Sequence, residues 1–245
     1  MKVDYEVALE ILSHEAIVRQ AYRDSVNVWT WSAGITSASG HAVERYIGKP
    51  QPMEHCLAVY AWLLETKYAP AVRAAFAGCR LSKAQFAAAL SFHWNTGAIG
   101  RASWVKHFKA GNIAKARKAF MDWRKPPEIK ERREAERDLF FDGKWSNKGT
   151  VTEYTRVTAR GTPDWSSAKK VNIEAALRSA LAGPQKPAET QTPLPPRPDT
   201  GQVPDSASVP RKTGTAAVVI AVLGALAAAG AAAWDKISNI IGGLF

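Results

Sequence analysis

The first apolar pattern along the chain has the period of an amphipathic helix. Five apolar residues near the N-terminus fall at the i, i+3 and i+4 spacing of one buried helix face: Val7, Ala8, Ile11, Leu12 and Ala16. In this interpretation Glu15 lies on the same face, four residues after Ile11. The pattern therefore predicts a helix that directs a carboxyl group into apolar surroundings.

A short alternating segment follows this helix. Residues 26–30 place Val26, Val28 and Thr30 on one side of an extended chain and Asn27 and Trp29 on the other. Alternation of this kind is typical of a β-strand, and the turn-forming Asp24 and Ser25 precede it. The segment predicts a short strand or hairpin.

Helical patterns dominate the following residues. They cover residues 52–77, a segment from Ser82, a segment from Asn112 to Trp123, and a charged segment from Pro127 to Gly143. Pro70 indicates a break in the first of these. Ser82 and Gln85 have the spacing of a capping box, which marks a helix start. The pattern predicts a mostly helical domain with a small strand-bearing element.

The composition changes abruptly at Gly183. Residues 183–214 are rich in Pro, Ser, Thr and Gln, which is typical of an extended linker. Residues 216–234 then carry no charged side chain, and this length suits the hydrocarbon core of a bilayer. We predict a transmembrane helix over residues 215–235 and a short apolar tail over 236–245. A helix that lies on a membrane, or that packs with its own copies, is the alternative.

The charge of the chain narrows the class of partner. The formal net charge is +11, and residues 1–182 carry +10 of it. Such an excess favours nucleic acid, anionic lipid or an acidic cell wall. Because no zinc-finger spacing, RNP-like segment or long basic helix occurs, we predict no nucleic-acid partner. The two cysteines, Cys56 and Cys79, form neither a disulfide framework nor a metal site, and their pairing is left open.

Two carboxyl groups near the N-terminus suggest chemistry. Burial disfavours the charged form of Glu15 and raises its pKa, as a general acid requires. Asp24 lies nine residues later in a polar turn, where a carboxylate stays ionised. Two carboxyls in contrasting environments are typical of glycosidic bond cleavage. The alternative is structural: Glu15 turns outwards at a helix end or pairs with an arginine.

Three segments of the sequence resemble one protein family. Glu15, Asp24 and Thr30 reproduce the spacing E-x8-D-x5-T of the phage-type lysozymes, glycoside hydrolase family 24. The segments "LSKAQFAAALSFHWNTGAIGRASWVKHFKAGN" and "EIKERREAERDLFFDGKW" resemble two later motifs of the same family. Together they cover residues 5–145, so the linker and the apolar C-terminal segment lie outside the resemblance.

The resemblance implies hydrolysis of the β-1,4 bond between N-acetylmuramic acid and N-acetylglucosamine in peptidoglycan, with no metal and no organic cofactor. It implies that Glu15 is the general acid and that Asp24 activates or places a water molecule. Thr30 would hold that water, and the anomeric carbon would be inverted. Arg132 matches a family arginine that pairs with the catalytic glutamate. Asn95 matches a polar residue of the cleft, with substrate contact and a structural amide as open alternatives.

The sequence departs from the family in three places, one of which is "FHWN" in place of a commoner "FxFN", which puts His93 beside the cleft segment. After Thr30 many relatives have a glycine and a histidine in the motif "I-G-x-G-H"; here Gly34 is kept and that histidine is absent. Residues 146–182 extend beyond the usual end of the domain. We expect them to add a strand pair and a helix that support it.

The resemblance implies an α+β, lysozyme-like fold with two lobes, mostly helical, with a small sheet-bearing lobe and a cleft between the lobes. The predicted organisation is a catalytic domain (1–145), its extension (146–182), the linker (183–214), the membrane helix (215–235) and the tail (236–245).

The function predicted from the sequence is a bacteriolytic muramidase, a phage or prophage endolysin for host cell lysis. A bacterial wall-remodelling muramidase and a non-catalytic wall-binding module on a membrane stalk are the alternatives. We predict association with the inner membrane and action on the periplasmic wall. The N-terminus lacks the apolar core of a secretory signal, so the orientation stays open. Release by a holin and weak insertion from outside are two routes to the wall.

Overall fold

The computed structural model describes residues 1–183 as an α+β fold, which confirms the predicted class. In chain order its elements are α1 (Tyr5–Ser13), β1 (Ala16–Arg23), β2 (Trp29–Ser32), β3 (Ile35–Thr36), α2 (Met53–Leu63), α3 (Ala69–Ala75), α4 (Lys83–Thr96), α5 (Ser103–Lys109), α6 (Ile113–Phe120), α7 (Lys130–Asp142), β4 (Val151–Tyr154), β5 (Ala168–Val171) and α8 (Glu174–Ala182).

The predicted membrane helix (215–235) and tail (236–245) lie outside the described residues, as does the predicted linker after Gly183. Within residues 1–183, no helix has both the length and the apolar character needed to span a membrane.

Helix α1 ends before Glu15, so the predicted helical position of this residue is wrong. The helix begins at an Asp4 cap, whose carboxylate accepts a hydrogen bond from the Val7 amide at 3.0 Å. It ends at Ser13, where the amide of Glu15 donates to the Leu12 carbonyl at 3.0 Å and closes the last turn. The apolar pattern predicted burial of Glu15 correctly, but the residue lies in the turn between α1 and β1.

Strand β1 is the centre of a five-stranded sheet in the order β3-β2-β1-β4-β5. It pairs antiparallel with β2 and parallel with β4, so the sheet is mixed. The sequence did not predict β1, because both of its faces are covered and its apolar residues do not alternate. Ile17 packs in the main core, while Val18 and Tyr22 form a second small cluster with Tyr154. The register with β2 also shifts between Val18 and Tyr22.

The predicted strand at residues 26–30 is displaced in the structure. Val26 is 46% exposed in the turn after β1, and β2 begins only at Trp29. Asn27 has a positive φ of 62°, a left-handed conformation that asparagine tolerates in turns. The two valines in the turn created the alternation that predicted an earlier strand.

The helices α2 to α7 surround a large aromatic core. Helix α4 lies at its centre and starts with the predicted capping box, in which Ser82 and Gln85 each bond the other's backbone. The break expected at Pro70 occurs earlier, as a π-helical turn over Leu64–Tyr68, and Pro70 lies in the first turn of α3. Helix α7 ends at Gly143 as predicted, with a φ of 68° at the glycine.

Residues 146–182 contain the expected strand pair and helix. Strand β4 pairs with β1 and with β5, and α8 packs against α1 and α2. The extension therefore enlarges both the sheet and the helical core. Elsewhere in the fold, both cysteines are free thiols, and burial raises the pKa of Cys56 to about 12.

Candidate active site

Glu15 lies in the turn between α1 and β1 with 6% of its surface exposed. Its Oε1 atom accepts a hydrogen bond from Nη1 of Arg132 at 2.5 Å. On its other side is Gly34, where an added Cβ would come within 3.4 Å of Glu15 Oε2. Gly34 also has a φ of 79°, so the turn after β2 needs glycine for its backbone and leaves room for the carboxyl group.

Burial and the neighbouring cations change the pKa of Glu15 in opposite directions. Loss of hydration is the largest influence on this carboxyl and raises its pKa above the ordinary value. The guanidinium of Arg132 opposes this rise through its charge and its hydrogen bond, and His14 also opposes it. Their combined effect is smaller than that of burial. The site therefore makes Glu15 a weaker acid than an exposed glutamate, which is the direction that a proton donor requires.

Arg132 is held in place by a buried network behind Glu15. Its Nε atom donates to Oε1 of Glu136 at 2.9 Å, and Ser91 Oγ donates to the same oxygen at 2.6 Å. Arg133 forms a second, very short ion pair with the other oxygen of Glu136. Burial by itself would raise the pKa of Glu136, but the two arginines lower it overall. Glu136 is therefore the charged partner that fixes Arg132.

Asn95 lies behind this network. It is 1% exposed, and its Oδ1 atom accepts a hydrogen bond from Nη2 of Arg133 at 2.6 Å. Of the two alternatives left open by the sequence, this hydrogen bond to Arg133 fits the supporting amide.

Asp24 lies at the turn that follows β1. Its Oδ1 atom accepts hydrogen bonds from the amides of Val26 at 3.0 Å and Val28 at 2.8 Å. Its Oδ2 atom accepts from the hydroxyl of Thr30 at 3.2 Å. Thr30 lies in β2 and is 1% exposed. The structure therefore brings Asp24 and Thr30 into direct contact.

Tyr22 connects the surroundings of the two carboxyl groups. Burial raises its pKa well above the ordinary value, and the charges of Glu15 and Asp24 both add to the rise. The pKa of the Tyr22 phenol therefore depends on both carboxyl groups. The sequence analysis missed Tyr22, although its position two residues before Asp24 could have placed both side chains on one side of an extended segment.

A narrow pocket opens beside Glu15. It is lined by Glu15, Ala16, Val18 and Tyr22 together with Tyr154, Pro163 and Trp165 of the extension. The last three were also missed, because nothing in their local sequence marks them. Within residues 1–183, no cluster of three or more His, Cys, Asp or Glu side chains could hold a metal ion.

The described features define a class of protein. The family model for phage lysozyme matches residues 12–136, about half of the chain, and the chain belongs to this family. Membership supports a muramidase, a glycosidase that acts on peptidoglycan. Glu15, Asp24, Thr30, Asn95, Arg132 and Glu136 all lie inside the matched residues, and the extension from residue 146 lies outside them.

A solved structure shows the same fold, and two others are similar to parts of the chain. The endolysin from Escherichia coli O157:H7 phage FAHEc1 is 22% identical, with a TM-score of 0.51 over 60% of this chain and 98% of that chain. The muramidase domain of SpmX from Asticaccaulis excentricus is 22% identical over 57% of this chain and 97% of that chain, with a TM-score of 0.48. A mutant of P22 lysozyme is 23% identical over 57% and 98%, with a TM-score of 0.46. No curated protein matches the sequence.

Proposed function

We propose that the chain hydrolyses the β-1,4 bond between N-acetylmuramic acid and N-acetylglucosamine in peptidoglycan. The observation that carries this proposal is the buried Glu15 carboxyl, whose pKa burial raises while Arg132 holds its orientation. Asp24, bound to Thr30, is the acceptor carboxylate of the pair. An acid and an acceptor carboxyl are the two groups that inverting glycosidases require.

In the proposed reaction, Glu15 donates its proton to the glycosidic oxygen as the bond between that oxygen and the anomeric carbon breaks. A water molecule held by Thr30 and Asp24 attacks the anomeric carbon from the opposite face. Asp24 takes a proton from this water, so the new hydroxyl has inverted configuration. The net charge of +10 on residues 1–182 favours approach to an anionic wall. We propose no nucleic-acid partner, metal or cofactor.

The test is a clearing assay on purified peptidoglycan with the full chain and with Glu15→Gln. Loss of the general acid lowers the rate by at least about 10²-fold. The matched control is Glu6→Gln, an exposed carboxyl of α1 that pairs with Lys83. Release of new reducing ends identifies glycoside cleavage, and NMR of the first product gives its anomeric configuration. Equal clearing by Glu15→Gln and wild type contradicts the proposal, and binding without cleavage favours a non-catalytic wall-binding module.

We further propose that the protein is a bacteriolytic endolysin that associates with the inner membrane through residues 215–235 and reaches the periplasmic wall with the help of a holin. Leu223→Arg puts a charge at the centre of this apolar segment, which costs roughly 2.5–3.5 kcal/mol of insertion free energy. It should move the protein from the membrane to the soluble fraction, whereas Ser208→Arg in the linker should not. Protease protection of the catalytic domain in spheroplasts, lost when a holin is expressed, supports the holin route; accessibility without a holin contradicts it.

A further inference from the structure

The positive charge of residues 1–182 is concentrated in one segment. Residues 101–130 carry nine basic side chains and two acidic ones, Asp122 and Glu128, a net charge of +7. Residues 1–100 carry nine basic and eight acidic side chains, and residues 131–182 carry ten and eight, so these parts have net charges of +1 and +2. The segment that forms α5, α6 and the loop after them therefore holds most of the excess charge.

The packing of α5 and α6 leaves these cations on the outside of the fold. Trp104 of α5 and Phe120 of α6 are fully buried, with 4.6 Å between their ring centroids, and Ala116 is buried as well. The apolar side chains of the segment thus face the core. Eight of the nine basic side chains are exposed, and we term them the basic surface: Arg101, Lys106, Lys109, Lys115, Lys118, Arg124, Lys125 and Lys130.

Carboxylates of the fold neutralise little of this charge. Of the nine basic side chains, Arg117 pairs with Asp142 at 2.6 Å and Lys130 pairs with Glu134 at 3.8 Å. Within residues 1–183, the other seven form no ion pair with a carboxylate. Their mutual repulsion is relieved by ions from solution or by an external anionic partner.

The composition of the basic surface favours a lipid bilayer as that partner. Ile113, the first residue of α6, is 48% exposed, and Lys115 and Lys118 follow it on the same helix. An exposed aliphatic side chain gains nothing from a soluble polyanion, whereas at a membrane interface it enters the boundary between headgroups and acyl chains. Lysine also outnumbers arginine by six to two in the basic surface. Compact ammonium charges suit a plane of phosphates that offers no fixed bidentate geometry.

We propose that the basic surface docks the described domain onto the anionic phosphate headgroups of a lipid bilayer. This inference goes beyond the proposed cleavage reaction and does not depend on it. Glu15 and Asp24 lie on other elements, in the turns on either side of β1, so docking through α5 and α6 does not use them. With residues 216–234 as a first membrane contact, the basic surface is a second one, and two linked contacts bind more tightly than either alone.

The first experiment measures binding of the full chain to vesicles made of equal parts phosphatidylglycerol and phosphatidylcholine. All variants carry Leu223→Arg, which weakens insertion of the apolar segment. The test variant changes three lysines of the basic surface to glutamine: Lys115, Lys118 and Lys125. The matched control makes the same change at three exposed lysines of other elements and loops, so that both proteins have the same net charge: Lys49, Lys148 and Lys169.

Each cation that reaches an anionic membrane contributes about fivefold to binding. If two of the three lysines touch the membrane, the test variant should bind at least about twentyfold more weakly. The control should lose a few-fold at most, because salt screens charges that lie away from the contact. Equal losses in the two variants would show an effect of net charge alone and overturn the proposal. Equal binding of the unsubstituted surface to vesicles of phosphatidylcholine alone would also overturn it.

The second experiment tests the aliphatic contact on the same vesicles. Ile113→Ser should weaken binding by about threefold or more, because the side chain no longer leaves water on docking. Ile47→Ser is the matched control, since Ile47 is 43% exposed in the other part of the fold. Ile113→Ser that binds as tightly as Ile47→Ser would remove the reason for a lipid partner and overturn this choice.

The third experiment offers the two three-lysine variants other polyanions. Both should bind and clear purified peptidoglycan equally, and both should bind double-stranded DNA equally. A loss confined to the test variant on either polymer, with vesicle binding unchanged, would assign the basic surface to that polymer and overturn the proposal. If the wild-type chain does not cleave peptidoglycan, the proposed function fails while the vesicle experiments still decide the docking surface.

Discussion

Glu10 and Glu15 are two buried carboxyl groups five residues apart, and their surroundings have opposite effects. The Glu10 carboxylate meets a set of donors from Ser146 and Asn147, and His14 lies beside it. Burial by itself would raise the pKa of Glu10, but the His14 side chain and the donors of Ser146 and Asn147 together lower it to about 2. Glu15 has Arg132 as its charged hydrogen-bond donor and the apolar wall of the pocket around it. Burial raises the pKa of Glu15 despite that arginine.

The comparison shows that burial does not by itself decide whether a carboxyl is charged. The hydrogen-bond donors and charges around the carboxylate also act on its pKa, because each donor and each nearby cation stabilises the ionised form. Glu10 receives enough of them to act as a permanent anchor for the extension. Glu15 receives fewer, and its pKa is raised. Two glutamates five residues apart therefore have different roles: Glu10 holds the extension, and Glu15 is the proposed proton donor.

The largest expected change in the free energy of unfolding follows substitution of Arg132, which contacts both Glu15 and Glu136. Arg132→Met removes the guanidinium that donates a hydrogen bond to the Glu15 carboxyl and another to the Glu136 carboxylate. Breaking a buried ion pair from one side costs about 3–5 kcal/mol of unfolding free energy. Chemical denaturation at pH 7 measures this loss.

The matched control for this substitution is Arg137→Met, on the same helix but partly exposed beside Asp138. It should cost less than about 1 kcal/mol, as is usual for surface ion pairs. Similar losses for the two variants would show that the buried network contributes no more than a surface pair.

The second prediction concerns the free energy of unfolding, which Glu10 makes dependent on pH. A pKa lowered from 4.5 to about 2 contributes about 3 kcal/mol of stability. Because the folded pKa lies below the unfolded one, this stability is complete above pH 4.5 and is lost as the pH falls towards 2. Glu10→Gln should therefore be less stable than wild type at pH 7, and the difference should shrink across that range. A constant difference from pH 7 to pH 2 would contradict the anchoring role.

The smallest effect on stability concerns the hydrogen bond between Thr30 and Asp24. Thr30→Val removes the hydroxyl that donates to Asp24 and should cost about 1 kcal/mol of stability. The rate of peptidoglycan cleavage should fall by more than this loss of stability explains, because the same hydroxyl holds the attacking water in the proposed reaction. Thr96→Val, at the end of α4, is the control for loss of a threonine hydroxyl outside the site. An equal loss of activity in both variants would contradict the role of Thr30.

The parts of the site that could be predicted are those formed by neighbours in the sequence. Asp24 and Thr30 are six residues apart, and the turn between them brings their side chains together. The cap at Ser82 and the end of α7 at Gly143 are also local features. The apolar period around Glu15 indicated its burial correctly. The same period predicted too long a helix, because strand partners on both edges of β1 decide where α1 ends.

The rest of the site depends on residues far apart along the chain. Arg132 reaches Glu15 across 117 positions, and the resemblance to the family, rather than any local pattern, identified it. The charged segment of α7 predicted a helix but gave no sign of its burial: Arg133 and Glu136 are fully buried, and each neutralises the other. Trp165 lines the pocket because β4 pairs with β1, and no hydrophobic period in the sequence predicts that pairing.

The most direct test of the contrast between Glu10 and Glu15 is an NMR titration of both side-chain carboxyl carbons in one sample of the full chain. We predict that Glu15 titrates above the ordinary value of 4.5, whereas Glu10 stays ionised until the pH approaches about 2. The same midpoint for both groups, or a Glu15 midpoint below 4.5, would contradict the assignment of Glu15 as the proton donor.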